Sequence, residues 1–547
     1  MRTKTSLVTT ALVGFGLSIS AATIEVTTTN PVVAVDGQCS LIEAIDNANV
    51  DAVTHVDCLP GSGADVIGLA PSATYVLNEV SALHYGPNGL PIVASNITIE
   101  GRNSTIRRAP GSPAFRLLVV NSSGTLFLRD LTLQGGDSGP TYCGGALLNA
   151  FGRADLLRTT ITESTAPGAG GICNSSGPMT LTDCEVSLNI GSAGIGGISN
   201  VAETNDAIML IERTLITGNQ AIGSGAGGIY SVSGGMWTAE LHVISSIVSD
   251  NIAEFSGGGI RSDDSVVFIG DSTIKDNQTF SAANYSFCGG LGLVGGEVEI
   301  RRTTISGNST QSLADFSGFG GGVCLSDNTT IISNSTISGN EARGAATTGT
   351  GSMTGLGGGV MAIGGAFGGA PTVDTVVMIE GSTICDNSAD NVGGGISVYR
   401  YAGDMAVEVV LRNTIVAENL EQGAAVLGNC VEASPAVINS FDFNLADDIT
   451  CNLIGTDDLV VADVMLAPLA DNVGTTMTHL PLTGSPAIDS GDNAMCPEFD
   501  QHGNIRPWDG DANGQVHCDR GAVELGAPFF VDGFETGDTN GWSNSVP

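Results

Sequence analysis

Between residues 125 and 420 the apolar positions fall in short runs of alternating character, as in Val266 with Phe268 and Thr330 with Ile332. Alternation places one side chain inward and the next outward, which predicts short β-strands rather than helices. Many runs end on asparagine, as in Ser272–Asn277, Thr304–Asn308, Ser335–Asn340 and Ser382–Asn387, and Asn189, Asn219, Asn251 and Asn419 hold the same position. Between the runs stands a Gly-Gly pair. It recurs nine times, at 144, 170, 196, 227, 258, 289, 321, 358 and 394, at intervals of 26 to 37 residues. A unit of that size cannot bury its own apolar face, so it must stack on copies of itself. Stacked coils sit about 4.8 Å apart, close enough for equivalent asparagine side chains to hydrogen-bond as ladders. Asparagine tolerates the left-handed backbone of a sharp corner, and Gly-Gly suits a second corner where a Cβ would clash. The predicted fold is all-β: a right-handed parallel β-helix over 86–470, with a small N-terminal helical cap and a C-terminal capping domain. Leucine-rich repeats would space Leu more tightly, propeller blades would carry more aromatics, and calcium nonapeptide arrays need a nine-residue period.

The Gly-Gly-aliphatic and (Ser/Thr)-x-x-Asn motifs resemble the repeats of chlamydial polymorphic outer-membrane proteins, over roughly residues 125–420. That family carries a C-terminal autotransporter barrel. The stretch after Asn419 has neither the length nor the strand pattern of one, so self-translocation is not implied.

The two ends have their own signatures. Residues 1–22 read as a secretory signal: Arg2 and Lys4, an apolar stretch from Leu7 to Ser20, then small residues at Ser20, Ala21 and Ala22. Cys39-Ser-Leu-Ile-Glu-Ala-Ile45, with Asn47, Asn49 and Cys58, resembles the CSLREA domain of exported bacterial β-helix proteins, with Ile42 where that motif has Arg. It assigns 23–85 to a cap, and the order Leu41, Ala44, Ile45, Ala48 predicts a short helix that covers the exposed first coil. Ser485–Gly491, Asp500–Gly503, Arg506-Pro507 and Cys518–Ala522 resemble a choice-of-anchor Q domain, assigned to 471–526. The last stretch, 527–547, resembles short tails of exported proteobacterial proteins. The expected location is outside the cell or on a bacterial surface, with outer-membrane association one form of it. No transmembrane span is expected once the signal is removed.

Composition sharpens this reading. Gly is 77 of 547 residues and aromatics are 5%, which suits many turns and few large side chains. A formal charge of −38, with Lys only at Lys4 and Lys275, disfavours nucleic acid and anionic lipid as partners. Twelve cysteines in an exported chain predict disulfides. The spacings suggest local staples at Cys39/Cys58, Cys430/Cys451 and Cys496/Cys518, of which the first and last are expected to be bonded. Cys143/Cys173 and Cys288/Cys324 hold matching offsets around neighbouring Gly-Gly pairs. Four strand residues span about 13 Å, so a bond there requires the preceding loop to fold back.

Candidate chemistry is sparse, and no catalytic residue or organic cofactor is assigned. Asp509, Asp511 and Asn513, followed by Gly514, match the first half of a Ca2+ loop. Arg520 stands where the bidentate Glu belongs, so a simple Asp/Asn/Gly turn is the competing reading. Gly136–Pro140 resembles a chymotrypsin-type nucleophile segment but has no partner motif. Right-handed β-helices include pectate lyases and polygalacturonases. Aligned on Gly-Gly, Asp264 and Asp327 share an offset two coils apart with Gly295 between them, in contexts that read as turns. Three consecutive coils carry long insertions, at 278–288, 309–320 and 341–357, which a solenoid would present on one face. They predict a binding patch with Phe280, Tyr285, Phe287, Phe316 and Phe319, unless those rings pack the loops down. The function expected is a non-catalytic, adhesin-like protein that binds an extracellular glycan or surface protein through these loops. The alternative is a polysaccharide lyase or glycoside hydrolase of the pectate-lyase-like type.

Overall fold

The computed structural model describes residues 23–223, 225–281, 286–312, 318–344, 355–365, 373–400, 405–422 and 426–526. The expected signal (1–22), the tail (527–547), Tyr285 and Phe316 lie outside them. Coil after coil pairs in parallel, and the strands of successive repeats line up residue for residue: Val267 with Val298, Thr330 and Val377, for example. Three long sheets result, with 25, 11 and 10 strands among the described residues. The fold is a parallel β-helix.

Each coil has the same plan. A long strand of the first sheet, such as Val266–Gly270, buries alternate residues (Val267, Ile269) in the axial core and turns Val266 and Phe268 outward. A bend follows, then a short strand such as Thr273–Lys275, then the ladder asparagine. A short third-sheet strand and a loop lead to Gly-Gly, and a second-sheet strand such as Ile260–Asp263 returns through a sharp corner to the first sheet. The core is aliphatic almost throughout, because β-branched side chains in register fill a narrow stacked interior.

The ladder is continuous. From Asn189 through Asn219, Asn251, Asn277, Asn308, Asn340 and Asn387 to Asn419, each Nδ2 donates to the next Oδ1 at 2.9 Å. Asn419 passes the chain to Asn429 at 2.8 Å. Each Oδ1 also accepts the backbone N–H of the preceding rung, as from Asn277 to Asn308 at 3.0 Å. All are fully buried, and every side-chain Nδ2 and Oδ1 in the ladder has a hydrogen-bond partner. One expectation is corrected here. The asparagines do not take the left-handed backbone; the residue before each does, among them Leu188, Gly218, Asp250, Asp276, Asp386 and Glu418. The asparagine's task is to hydrogen-bond, and the preceding residue makes the turn. At Gly-Gly the expectation is met: a Cβ on Gly227 would stand 2.3 Å from the Gly258 carbonyl oxygen of the next coil.

At the N-terminus the helix Leu41–Val50 starts on Ser40 with a complete capping box. It buries Leu41, Ala44, Ile45 and Ala48 against the first coil, and Cys39 is bonded to Cys58 beside it. At the other end Cys430–Cys451 and Cys496–Cys518 are bonded. Cys143–Cys173 and Cys288–Cys324 are bonded as well, by the fold-back the spacing demanded. Cys288 lies over Gly292 of its own coil, where a Cβ would stand 3.2 Å from the sulfur, and so reaches the next coil. Cys184 and Cys385 are free and buried.

After the last solenoid strands the chain does more than close the end. It runs back along the outside of the short first-sheet strands as a strap. Thr304 Oγ1 donates to the Met477 carbonyl at 2.5 Å, Thr336 Oγ1 donates to Gln501 at 2.6 Å, and Ala522 N–H donates to Thr383 at 3.1 Å. Arg520 donates to the Asn444 carbonyl at 2.7 Å. Among the described residues no helix is long and apolar enough to cross a membrane.

Candidate functional site

Of the expected loop patch, the described rings Phe287 and Phe319 do not form an exposed surface. Phe287 and Phe319 are each only 9% exposed. Their segments pair in parallel, Ser286–Phe287 with Gly318–Phe319, and the rings stack at 5.1 Å with Phe255 edge-on to Phe287 at 5.5 Å. With Cys288, Cys324, Leu356 and Met361 they make a small accessory core. The physical reason is the solenoid itself. Where the insertions are described they stack on each other as the coils do, so Phe287 and Phe319 pack together instead of facing water. Phe280, on the strand Gln278–Ser281, is partly buried.

The outward face of the first sheet offers more. A groove of about 640 Å³ is lined by His242, Ile244, Val266, Phe268, Glu297, Glu299, Thr329 and Ile331. Phe268, Glu299 and Ile331 are register partners on three successive strands, and His242 stands beside Phe268 one coil earlier. The Phe268 ring lies over Gly270, where a Cβ would approach it to 2.8 Å, so glycine lets the ring lie flat along the sheet. The groove therefore combines an aromatic face, aliphatic walls, carboxylates at Glu297 and Glu299, an imidazole and a hydroxyl. Its charge is negative, since Glu240, Glu297 and Glu299 outnumber Arg301, which pairs with Glu299, and His242, which lies 3.8 Å from Glu240.

No motif marks these residues. Phe268, Glu299 and Ile331 do share one offset from their Gly-Gly pairs, and reading outward positions coil by coil would have found them. His242 escapes that alignment because its coil carries extra residues before the strand Ala239–Ile244.

Around the corner from the groove lie the remaining candidates. Asp264 and Asp327 occupy equivalent left-handed corner positions with Gly295 between them. A Cβ on Gly295 would stand 2.0 Å from Asp264 Oδ1, so that carboxylate occupies the space above the glycine. Burial raises the Asp327 carboxyl above the usual range, with the Asp264 charge a lesser cause. Asp327 Oδ1 is buried with no hydrogen-bond partner, while Oδ2 accepts from Ser326 at 3.2 Å. On the adjoining second-sheet face, Tyr230 donates to Asp263 at 2.6 Å and Arg261 grips the same carboxylate at 3.0 and 3.2 Å. The Arg261 guanidinium also lies over the Tyr230 ring at 5.5 Å. Burial first, and then Asp263, hold the tyrosine hydroxyl well above an ordinary phenol.

The calcium-loop residues sit in the strap. Asp509 and Asp511 are brought together with Asp489, their oxygens within 4.8 Å of one another. In this structure the same carboxylates accept backbone N–H groups: Asn513 and Gly514 donate to Asp509, and Gly510 and Asp511 to Asp489. Asn513 turns its amide nitrogen to Asp511 at 2.8 Å. Arg520 points away, to Ser490 and the Asn444 carbonyl.

No family profile and no curated protein matches the chain. Among solved structures it is similar to a periplasmic alginate epimerase, at 11% identity and a TM-score of 0.44 over 70% of this chain and 84% of that one. It is also similar to a pectate lyase, at 13% identity and a TM-score of 0.34 over 93% of this chain and 98% of that one. Likeness at that level carries no argument about the site, and the fold rests on the strand pairing described above.

Proposed function

We propose that the protein is an exported β-helix that binds a polysaccharide of low negative charge along the groove of its first sheet. One observation carries this reading: Phe268 lies flat on an open strand face with Glu297, Glu299, His242 and Thr329 around it. An aromatic face packs the C–H surface of a sugar, while carboxylates and hydroxyls accept and donate to its hydroxyls. Charge narrows the ligand. A chain of −38, with Glu297 in the groove beside the Arg301-paired Glu299, disfavours a polyuronate, whereas a neutral glycan meets no such field. Five disulfides in a chain with this lining support life in an oxidising compartment.

The test is a glycan array on the purified chain, with parallel assays for released reducing ends and unsaturated products. The reading expects neutral glycans to bind without turnover, and Phe268→Ala to weaken binding about tenfold, near 1.4 kcal/mol, while the β-sheet spectrum is unchanged. Preference for polyuronates, or binding indifferent to Phe268→Ala, overturns it.

One observation favours a second reading. Asp264 and Asp327 share a corner two coils apart with only a glycine between them, and a glycoside hydrolase needs two carboxyls on one face as its acid and its base. That reading requires product release that Asp264→Asn and Asp327→Asn each abolish while binding persists.

A further inference from the structure

A cluster of metal-binding side chains lies where the strap crosses the rod. Cys385, Asp386 and His479 bring their ligand atoms within 4.8 Å of one another. Cys385 closes the short strand Thr383–Cys385 of the first sheet, and Asp386 makes the left-handed turn beside the ladder rung Asn387. His479 comes from the strap, in the stretch where Ala470 pairs with Thr478 and Leu466 with Pro481. Cys385 is fully buried and His479 is 2% exposed. Asp386 reaches the cluster from the exposed edge.

We propose that Cys385, Asp386 and His479, with Glu418 as fourth ligand, form a zinc-type site that fastens the strap to the rod. The imidazole geometry supports it. His479 Nδ1 faces the Ala467 carbonyl at 2.8 Å, and a carbonyl can only accept, so Nδ1 carries the proton and Nε2 presents its lone pair. A backbone carbonyl behind the distal nitrogen is the usual way a metal-ligating histidine is oriented. Nε2 meets the Ser338 hydroxyl at 2.8 Å, a neutral group that can turn aside, and Ser338 is the register partner of Cys385 on the adjoining strand.

The sulfur supports it too. Cys385 Sγ is enclosed, and its closest polar partner is Glu418 Oε2 at 3.8 Å, a long contact even for a thiol. The charges acting on Cys385 are those of Asp386, Glu418 and Asp447, all negative. Glu418 feels Asp386, Asp447 and Asp463 in the same way. A dication would relieve this accumulation and take the thiolate. On binding, the Cys385 S–H bond breaks, its proton passes to solvent, and sulfur donates to the metal. One thiolate, one imidazole and two carboxylates suit a borderline-soft tetrahedral ion, and not calcium or magnesium. Ligand atoms around such an ion stand roughly 3.3–3.8 Å apart, from bond lengths of 2.0–2.3 Å. The three clustered atoms need to contract by about an ångström and the Glu418 carboxylate, 3.8 Å from the sulfur, to swing in toward them, which side-chain rotation supplies.

The experiment uses the full secreted chain, stripped with a chelator under mild reductant and loaded with Zn2+ or Co2+. The expected result is one tightly held equivalent by elemental analysis. Co2+ should show a tetrahedral visible spectrum with a thiolate charge-transfer band, and Cys385 should be protected from thiol reagents. Cys385→Ser should remove the charge-transfer band, and Asp386→Asn, at the exposed edge, should weaken retention at least tenfold. Cys184→Ala, the other free cysteine, should keep the band. Far-UV spectra check that each variant is folded. Metal bound without a thiolate band, a band lost in Cys184→Ala but kept in Cys385→Ser, or equal Cys385 reactivity with and without Zn2+ overturns the site.

Discussion

The rod and the strap solve the problem of buried polar groups in opposite ways. Along the rod's asparagine ladder each polar side chain finds its partner in a copy of itself one coil away: Asn308 accepts from Asn277 and donates to Asn340. In the strap the partners are unique and charged. Arg506 and Glu524, 1% and 0% exposed, bond at 2.8 Å, and Arg506 also donates to Asn334 of the rod at 3.2 Å. Glu524 in turn accepts the Asp519 and Trp508 backbone N–H groups. The periodic solution is neutral and shared, so each rung resembles every other. The aperiodic solution is charged, and each member depends on one specific neighbour.

Four substitutions or conditions break or sharpen that contrast. The largest effect belongs to the strap. Glu524→Ala leaves Arg506 charged and buried, which costs about 3–5 kcal/mol. Hydrogen exchange should show the strap released while the ladder amides stay protected; loss of both together would show that rod and strap are one cooperative unit. In the rod, Asn308→Ala orphans the Asn277 donors and the Ile274 carbonyl that Asn308 serves. We expect a loss of about 2–3 kcal/mol, from the cost of unsatisfied buried groups. Denaturant unfolding measures it, and an unchanged midpoint would deny the ladder a role in stability. Third, if Asp489, Asp509 and Asp511 hold Ca2+, tenfold excess over the dissociation constant stabilises the strap by about 1.4 kcal/mol. A thermal shift abolished by Asp509→Asn is the check, and indifference to Ca2+ and chelator leaves those carboxylates as turn caps.

The smallest effect is one of pH. Burial first, then the Glu524 charge, push Asp519 up to about 7 from an ordinary 3.8. Its folded value lies above its unfolded one, so the folded state holds the proton more tightly and stability falls as pH rises between the two. The buried histidines His479 and His502 are lowered by burial and lose stability only in acid. Above their ordinary value of 6.5 Asp519 dominates, and strap docking should weaken by about 0.8 kcal/mol from pH 6.5 to 8. Strengthening over that window would contradict the assignment.

The same contrast explains what was legible beforehand. Asn189 to Asn419 and the Gly-Gly pairs announce the rod because a shared physical task repeats at each coil. The capping helix was readable from Leu41, Ala44, Ile45 and Ala48, since local periodicity suffices. Phe287 and Phe319 misled because a single coil shows an aromatic in a loop, and only stacking reveals that the next coil covers it. The strap's docking was invisible: Thr304, Thr336 and Thr383 look like ordinary outward strand residues, and nothing local says that Gln501 or Ala522 returns to meet them. The groove is an intermediate case. Phe268, Glu299 and Ile331 are periodic in position but not in identity, so they leave a register without leaving a motif.

The strap also changes how the rod bears load. A bare stack of coils is a series of equal joints, and it parts at whichever joint is weakest. From Thr304 to Asn444 the strap grips several joints at once, through Met477, Gln501, Ala522 and Arg520. Over that stretch a pull along the axis must shear the strap's anchors together with the joints beneath, whereas the coils between the Cys143–Cys173 bond and the strap can peel one at a time. The molecule is a rod with a stiff, spliced end and a compliant one. Tension at either terminus should open it first on the N-terminal side of the splice.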